Sequence, residues 1–256
     1  MADYPVLVGV VNLTPDSFYE ASRVSSVDEA LARMELLRGK GCSIFDLGAV
    51  STRPGAGDVP PEEEWARLEP LLSFLAHGTF LQEGECISID TTSSLTVRRA
   101  YALAGPFIVN DISAGEDDPG MLPAVAELGL GYIAMHKRGN PRSMDALTSY
   151  PRGVVEEVLE YFGRFSALAE DMGLRDWILD PGFGFAKTAR QNWELLEGLG
   201  KFRRFGKPVL AGVADKRFTR TPNPFADDDG DPEACCGTRY AEELALRRGA
   251  DMLRIH

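Results

Sequence analysis

Val6-Leu-Val-Gly-Val-Val-Asn-Leu-Thr-Pro-Asp-Ser-Phe18 decides the fold, because an apolar, β-branched run stops abruptly at Asn12 and gives way to a loop rich in turn residues. This is the pattern of a buried strand ending at a polar side chain. The strand fixes the direction of Asn12, while Thr14 to Phe18 can close over whatever binds there. The same arrangement recurs along the chain. Apolar runs at 43–47, 86–89, 107–109, 132–135, 177–179, 208–213 and 252–255 read as further strands, each ending in polar or Gly-rich residues. Between them, helical spacing predicts helices at 27–38 (capped by Ser26), from Pro60-Pro61 through Leu75, and at 94–104, 121–128, 152–172, 191–199 and 233–248.

Eight strands alternating with seven helices imply a parallel sheet, and eight such units in 256 residues match a single-domain (β/α)8, or TIM, barrel over 1–256. A doubly wound open sheet is the alternative, but no G-x-G-x-x-G follows a strand. The eighth strand runs into His256 without an eighth helix, which predicts either a shortened chain or an unusual closure of that flank.

The formal net charge of -12 disfavours a nucleic-acid partner, since phosphate backbones need a positive face. No run of about eighteen apolar residues predicts a membrane span, and the opening Met1-Ala-Asp-Tyr-Pro5 lacks the basic and apolar regions of a signal peptide, so a cytoplasmic location is expected. Cys42, Cys86, Cys235 and Cys236 show no paired metal-ligand spacing and read as reduced thiols. Three scattered histidines are too few to argue for zinc.

In a barrel the site gathers at the carboxyl ends of the strands. Here those ends supply Asn12, Ser51 to Arg53, Asp90, Asn110, His136, Asp180, Lys216, and Arg254 with His256. Asp90, Asn110 and Asp180 offer carboxylate acceptors and a two-sided amide, which suit a flat heterocycle with N–H and NH2 donors along one edge, as a 2-amino-4-oxo ring has. Lys216 and Asn110 would meet the ring acceptors. Each carboxylate alone reads equally well as a helix or loop cap, a reading that weakens when three occur together. Arg53, Arg254 and His256 add positive charge at the rim, suited to a pyrophosphate, with Asn12 placed to ligate its Mg²⁺.

These motifs carry a resemblance. Asn12-Leu-Thr-Pro-Asp-Ser-Phe18, Ser51-Thr-Arg-Pro-Gly-Ala56, Ser88-Ile-Asp-Thr91, Asn110-Asp-Ile-Ser113, Met135-His136 with Arg138-Gly139, Asp180-Pro-Gly-Phe-Gly-Phe185 with Lys187-Thr188, and Arg254-Ile-His256 resemble, in order, those of the dihydropteroate synthases. The resemblance implies condensation of 6-hydroxymethyl-7,8-dihydropterin pyrophosphate with p-aminobenzoate, with Mg²⁺ as cofactor, by an SN1-like route. It implies catalytic work for Asn12, Asp16, Thr52, Arg53 and Lys216, with Asn12 ligating the metal. Asp90, Asn110, Met135, Asp180 and Lys216 would hold the pterin. Arg254 and His256 would hold pyrophosphate, and Phe18, Pro54 and Phe185 would wall the aminobenzoate pocket. Family precedent also implies a homodimer.

Three positions depart from the family pattern. Val50 stands where Glu commonly precedes Ser-Thr-Arg-Pro, Thr92-Ser93-Ser94 lacks a frequent Lys, and Ala214-Asp215-Lys216-Arg217 replaces the usual Ser-Arg-Lys-Ser. Asp215 would weaken binding of an anionic benzoate if it faced the pocket. Two readings therefore stand: a synthase with a remodelled seventh loop, or a pterin-binding relative that is non-catalytic or takes another acceptor. A corrinoid-linked methyltransferase barrel would not explain Thr14 to Phe18 or Ser51 to Pro54.

Overall fold

Near-continuous apolar runs rich in Val, Ile and Leu, buried on both faces, fold as strands, and eight such runs form one parallel sheet. The computed structural model describes residues 5–13, 26–50, 59–139, 143–226 and 235–256. The strands are β1 Val6–Asn12, β2 Cys42–Gly48, β3 Cys86–Asp90, β4 Ile108–Asp111, β5 Gly131–Met135, β6 Trp177–Asp180, β7 Leu210–Ala211 and β8 Met252–Ile255. The helices are α1 Val27–Gly39, α2 Pro61–His77, α3 Ser94–Ala104, α4 Met121–Leu128, α5 Val154–Asp171, α6 Ala189–Glu197 and α7 Thr238–Arg248.

The sheet order β6-β5-β4-β3-β2-β1-β8-β7 becomes a barrel where Leu179 bridges Val209 and its amide donates to the Pro208 carbonyl at 2.9 Å. That seam is thin. Regular β7 covers only Leu210–Ala211 instead of the expected 208–213, because Gly212 follows directly and Lys216 begins a short 3₁₀ turn soon after. Helix α7 likewise starts at Thr238 instead of 233, because Gly237 at φ 90 interrupts the helix, and residues 227–234 lie outside the described set.

Side-chain alternation sorts the barrel interior into layers. The lowest takes one residue from each strand: Val8, Ile44, Cys86, Ile108, Ile133, Ile178, Leu210 and Met252 form a closed apolar plug. The outer faces of the strands pack on the helices through a second, larger cluster that includes Phe45, Leu47, Tyr132, Leu179 and Trp193. Ser26 caps α1 by accepting from the Glu29 amide at 3.2 Å, as its position predicts. Among the described residues, no helix is long and apolar enough to cross a membrane.

Candidate active site

Two residues above the apolar plug, the same alternation points Val10, Asp46, Ser88, Asn110, Met135, Asp180, Gly212 and Arg254 into the barrel. The floor of the site is therefore polar. Asp46 Oδ1 accepts from the Ser88 hydroxyl at 2.7 Å, and its Oδ2 accepts from the Asn110 amide nitrogen at 2.9 Å. Arg254 reaches across from β8: one terminal nitrogen donates to Asp180 Oδ2 at 3.0 Å, the other to Asn110 Oδ1 at 3.2 Å, and its Nε lies 3.4 Å from Asp46 Oδ2. Gly212 leaves room for this, since a Cβ there would sit 3.3 Å from the guanidinium. Asp180 Oδ1 accepts from the Gly182 amide at 2.8 Å, which ties the carboxylate to the loop after β6.

One layer higher, Gly48 separates Asn12 from Asp90, with a hypothetical Cβ 3.7 Å from Asn12 Oδ1 and 3.6 Å from Asp90 Oδ2. Desolvation, followed by the nearby charge of Asp46, holds the Asp90 carboxyl well above the usual carboxylate range, while Arg254 pulls it back. The site thus contains buried acids in tension with a single shared guanidinium. Lys216 lies over the Phe185 ring, its Nζ 5.0 Å from the ring centroid, so the β6 and β7 loops meet at the rim.

Most of the expected residues converge here: Asn12, Asp90, Asn110, Met135, Asp180 and Arg254 share the barrel mouth, with Lys216 and Phe185 beside it. Asp16, Phe18, Thr52, Arg53 and Pro54 lie outside the described residues, as do the rest of the loops 14–18 and 51–55. His136 does not join the site. Period two turns it outward when Met135 points in, and its ring packs edge-on against Tyr161 with centroids 4.9 Å apart. His256 does not supply the expected positive charge, because burial, and then the charge of Lys216, pushes its imidazole down to about 4. It is a neutral hydrogen-bonding ring at pH 7. Asp46 and Ser88 were not among the expected residues, although a lone Asp two positions after Ile44 in an apolar strand is the signal for an inward polar layer.

Asp215 is the acid that departs from the family pattern. It adopts φ 55, its amide donates to the Thr238 hydroxyl at 3.0 Å, and that hydroxyl donates back to Asp215 Oδ1 at 3.3 Å. Its carboxylate is therefore tied to the first residue of α7.

A (β/α)8 barrel with an acidic, amide-bearing layer beneath its mouth is the design of a pterin-binding enzyme, and the model of that family matches residues 8–256, so the chain belongs to it. The similar relatives are dihydropteroate synthases and a longer fungal protein. The Escherichia coli K12 dihydropteroate synthase is 35% identical over 99% of this chain and 86% of its own length. The folic acid synthesis protein fol1 of Pneumocystis carinii is 37% identical over 98% of this chain, which spans 34% of that protein. Among solved structures, the Xanthomonas albilineans dihydropteroate synthase with 4-aminobenzoic acid superposes with a TM-score of 0.81 at 36% identity, covering 99% of this chain and 88% of that one.

Proposed function

We propose that this chain condenses 6-hydroxymethyl-7,8-dihydropterin pyrophosphate with p-aminobenzoate to give 7,8-dihydropteroate and pyrophosphate. The observation that carries this reading is the buried polar layer in which Asp180, Asn110 and Asp46 converge on Arg254. A pterin edge of N–H and NH2 groups is complementary to the Asp180 and Asp90 carboxylates, and the Asn110 amide serves a donor or an acceptor on the ring. In this reading Lys216 donates to ring acceptors, Met135 closes a ring face, Phe185 walls the aminobenzoate side, and Asn12, Arg53, Arg254 and His256 hold the pyrophosphate. His256 acts there as a neutral donor or acceptor, given its depressed basicity.

The donor set suits a hard cation. Asn12 presents an amide oxygen beside Gly48, and a small divalent ion of this kind keeps most of its ligands as water and substrate phosphate. Asn12 would hold Mg²⁺, which when bound supplies charge neutralisation to the departing pyrophosphate.

The chain's own groups do the rest. The C–O bond to pyrophosphate breaks with both electrons leaving on the pyrophosphate, and buried acceptors fixed beneath the ring stabilise the pterin cation left behind. The aniline nitrogen then forms the new C–N bond and loses its proton to solvent. Asp16, Thr52, Phe18 and Pro54 complete the second-substrate side by the family pattern. The Thr238 bridge to Asp215 favours a working second-substrate pocket over the non-catalytic reading, because it engages the one introduced acid. Purified protein given dihydropterin pyrophosphate, Mg²⁺ and p-aminobenzoate is expected to yield dihydropteroate by mass spectrometry, with one pyrophosphate per product. Bound pterin without dihydropteroate would leave only a binding protein.

A further inference from the structure

Lys187 is a buried amine that neither the substrate contacts nor the pyrophosphate contacts use. It is 8% exposed and sits behind the loop that follows β6. Its Nζ donates to the Gly182 carbonyl at 2.8 Å and the Phe185 carbonyl at 3.0 Å, and it lies 3.1 Å from His136 Nδ1. The segment it holds has only a few short-range hydrogen bonds of its own. Gly182, Gly184 and Ala186 take φ values of 71, 83 and 50, so no run of helix or sheet hydrogen bonds forms through it. Its amides are satisfied from three directions: Gly182 by Asp180 Oδ1, Gly184 by Asn192 Oδ1 at 2.7 Å, and Phe185 by the Gly182 carbonyl at 3.2 Å. Two of its carbonyls converge on one ammonium.

We infer that Lys187 is a positioning residue that clamps the Asp180–Phe185 loop into the shape that presents the Asp180 carboxylate to the pterin. This rests on the pterin reading of the site. The geometry links the two ends of the clamp: on the barrel side, the same loop gives Asp180 to Arg254 and lays Phe185 under Lys216. On the helix side, Lys187 is braced by His136, whose ring is packed between Tyr161 and Tyr150.

The proton inventory fits a clamp. An ammonium has three N–H groups for two carbonyls and one imidazole lone pair, whereas a neutral amine gives two N–H groups to the carbonyls and accepts from Nδ1–H. The first arrangement needs a neutral His136 with an unprotonated Nδ1. Burial, followed by the charges of Lys187 and Arg138 and the more distant Arg164, holds that ring well below its ordinary basicity. Lys187 itself is lowered to about 7 by burial, with Asp180 opposing and Arg138 and Lys216 adding to the effect.

The test begins with wild-type protein titrated with dihydropterin pyrophosphate; absence of binding defeats the pterin reading and the clamp's basis together. Given wild-type binding, Lys187→Met keeps the buried stem and removes the amine. The expected result is a KM for the pterin substrate raised at least ten-fold, with a clearly smaller rise in the KM for p-aminobenzoate. Adding n-propylamine to Lys187→Ala, or refolding it in propylammonium if it does not otherwise fold, is expected to restore much of the pterin affinity. An unchanged pterin KM in Lys187→Met overturns the clamp alone. So does a loss shared equally by both substrates that no amine rescues.

Discussion

The guanidinium of Arg254 faces acceptors from three other strands, Asp46, Asn110 and Asp180, so each acceptor is held in part by the others. Removing one partner from such a buried set leaves charge uncompensated, which costs far more than the pair contributes. Asp46→Ala is therefore expected to lower stability by about 3–5 kcal/mol in urea unfolding and to weaken pterin binding, although Asp46 lies beneath the ring. Asp90 gives a pH signature. Its carboxyl is raised, so between its unfolded and folded values the native state binds the extra proton, and stability declines as pH rises through that window. Ligand binding runs the other way, because an N–H donor needs the ionised acceptor. Pterin affinity should fall as pH drops through the raised value, and Asp90→Asn should flatten the profile in a titration series. At this scale Asp90, Asn110 and Asp180 were legible because they stop apolar runs, whereas Asp46 was hidden inside one. Lys187 stood in a family motif, but no local pattern says that a loop lysine turns inward.

At the scale of elements, the loop after β6 is the most demanding piece of chain. A Cβ on Gly182 would fall 2.0 Å from the His136 carbonyl oxygen, and its φ of 71 is one that L side chains rarely adopt. Gly182→Ala is expected to displace the loop, lowering thermal stability and pterin affinity together; retention of both would show that the loop shape is not required. Helix α6 follows at once, started by a reciprocal box in which the Thr188 hydroxyl accepts from the Gln191 amide and the Gln191 side chain accepts from Thr188. Helices α1 and α3, capped by Ser26 and Ser93, and α4, closed by left-handed Gly129, were readable almost to the residue. The start of α7 and the extent of β7 were not. Both lie at turns set by backbone conformation and by the closure of the barrel, and hydrophobic periodicity carries neither.

For the whole molecule, a net charge of -12 coexists with a barrel mouth that gathers Arg254 and Lys216, so cationic groups stand where the proposed anionic leaving group would depart. The closed barrel follows from strand count and alternation, and that was the robust inference; the polar floor follows from period two once the strand register is known. Which side chains share one guanidinium was not legible, because strands distant in sequence meet only after closure. The measurement that tests the account most directly is a calorimetric titration of wild-type and Asp180→Ala protein with dihydropterin pyrophosphate. Loss of charge-assisted hydrogen bonds to the ring, at roughly 1.5–3 kcal/mol each, predicts affinity reduced by about ten-fold or more in the variant. Equal affinity of the two proteins would contradict the assignment of the buried polar layer as the pterin seat.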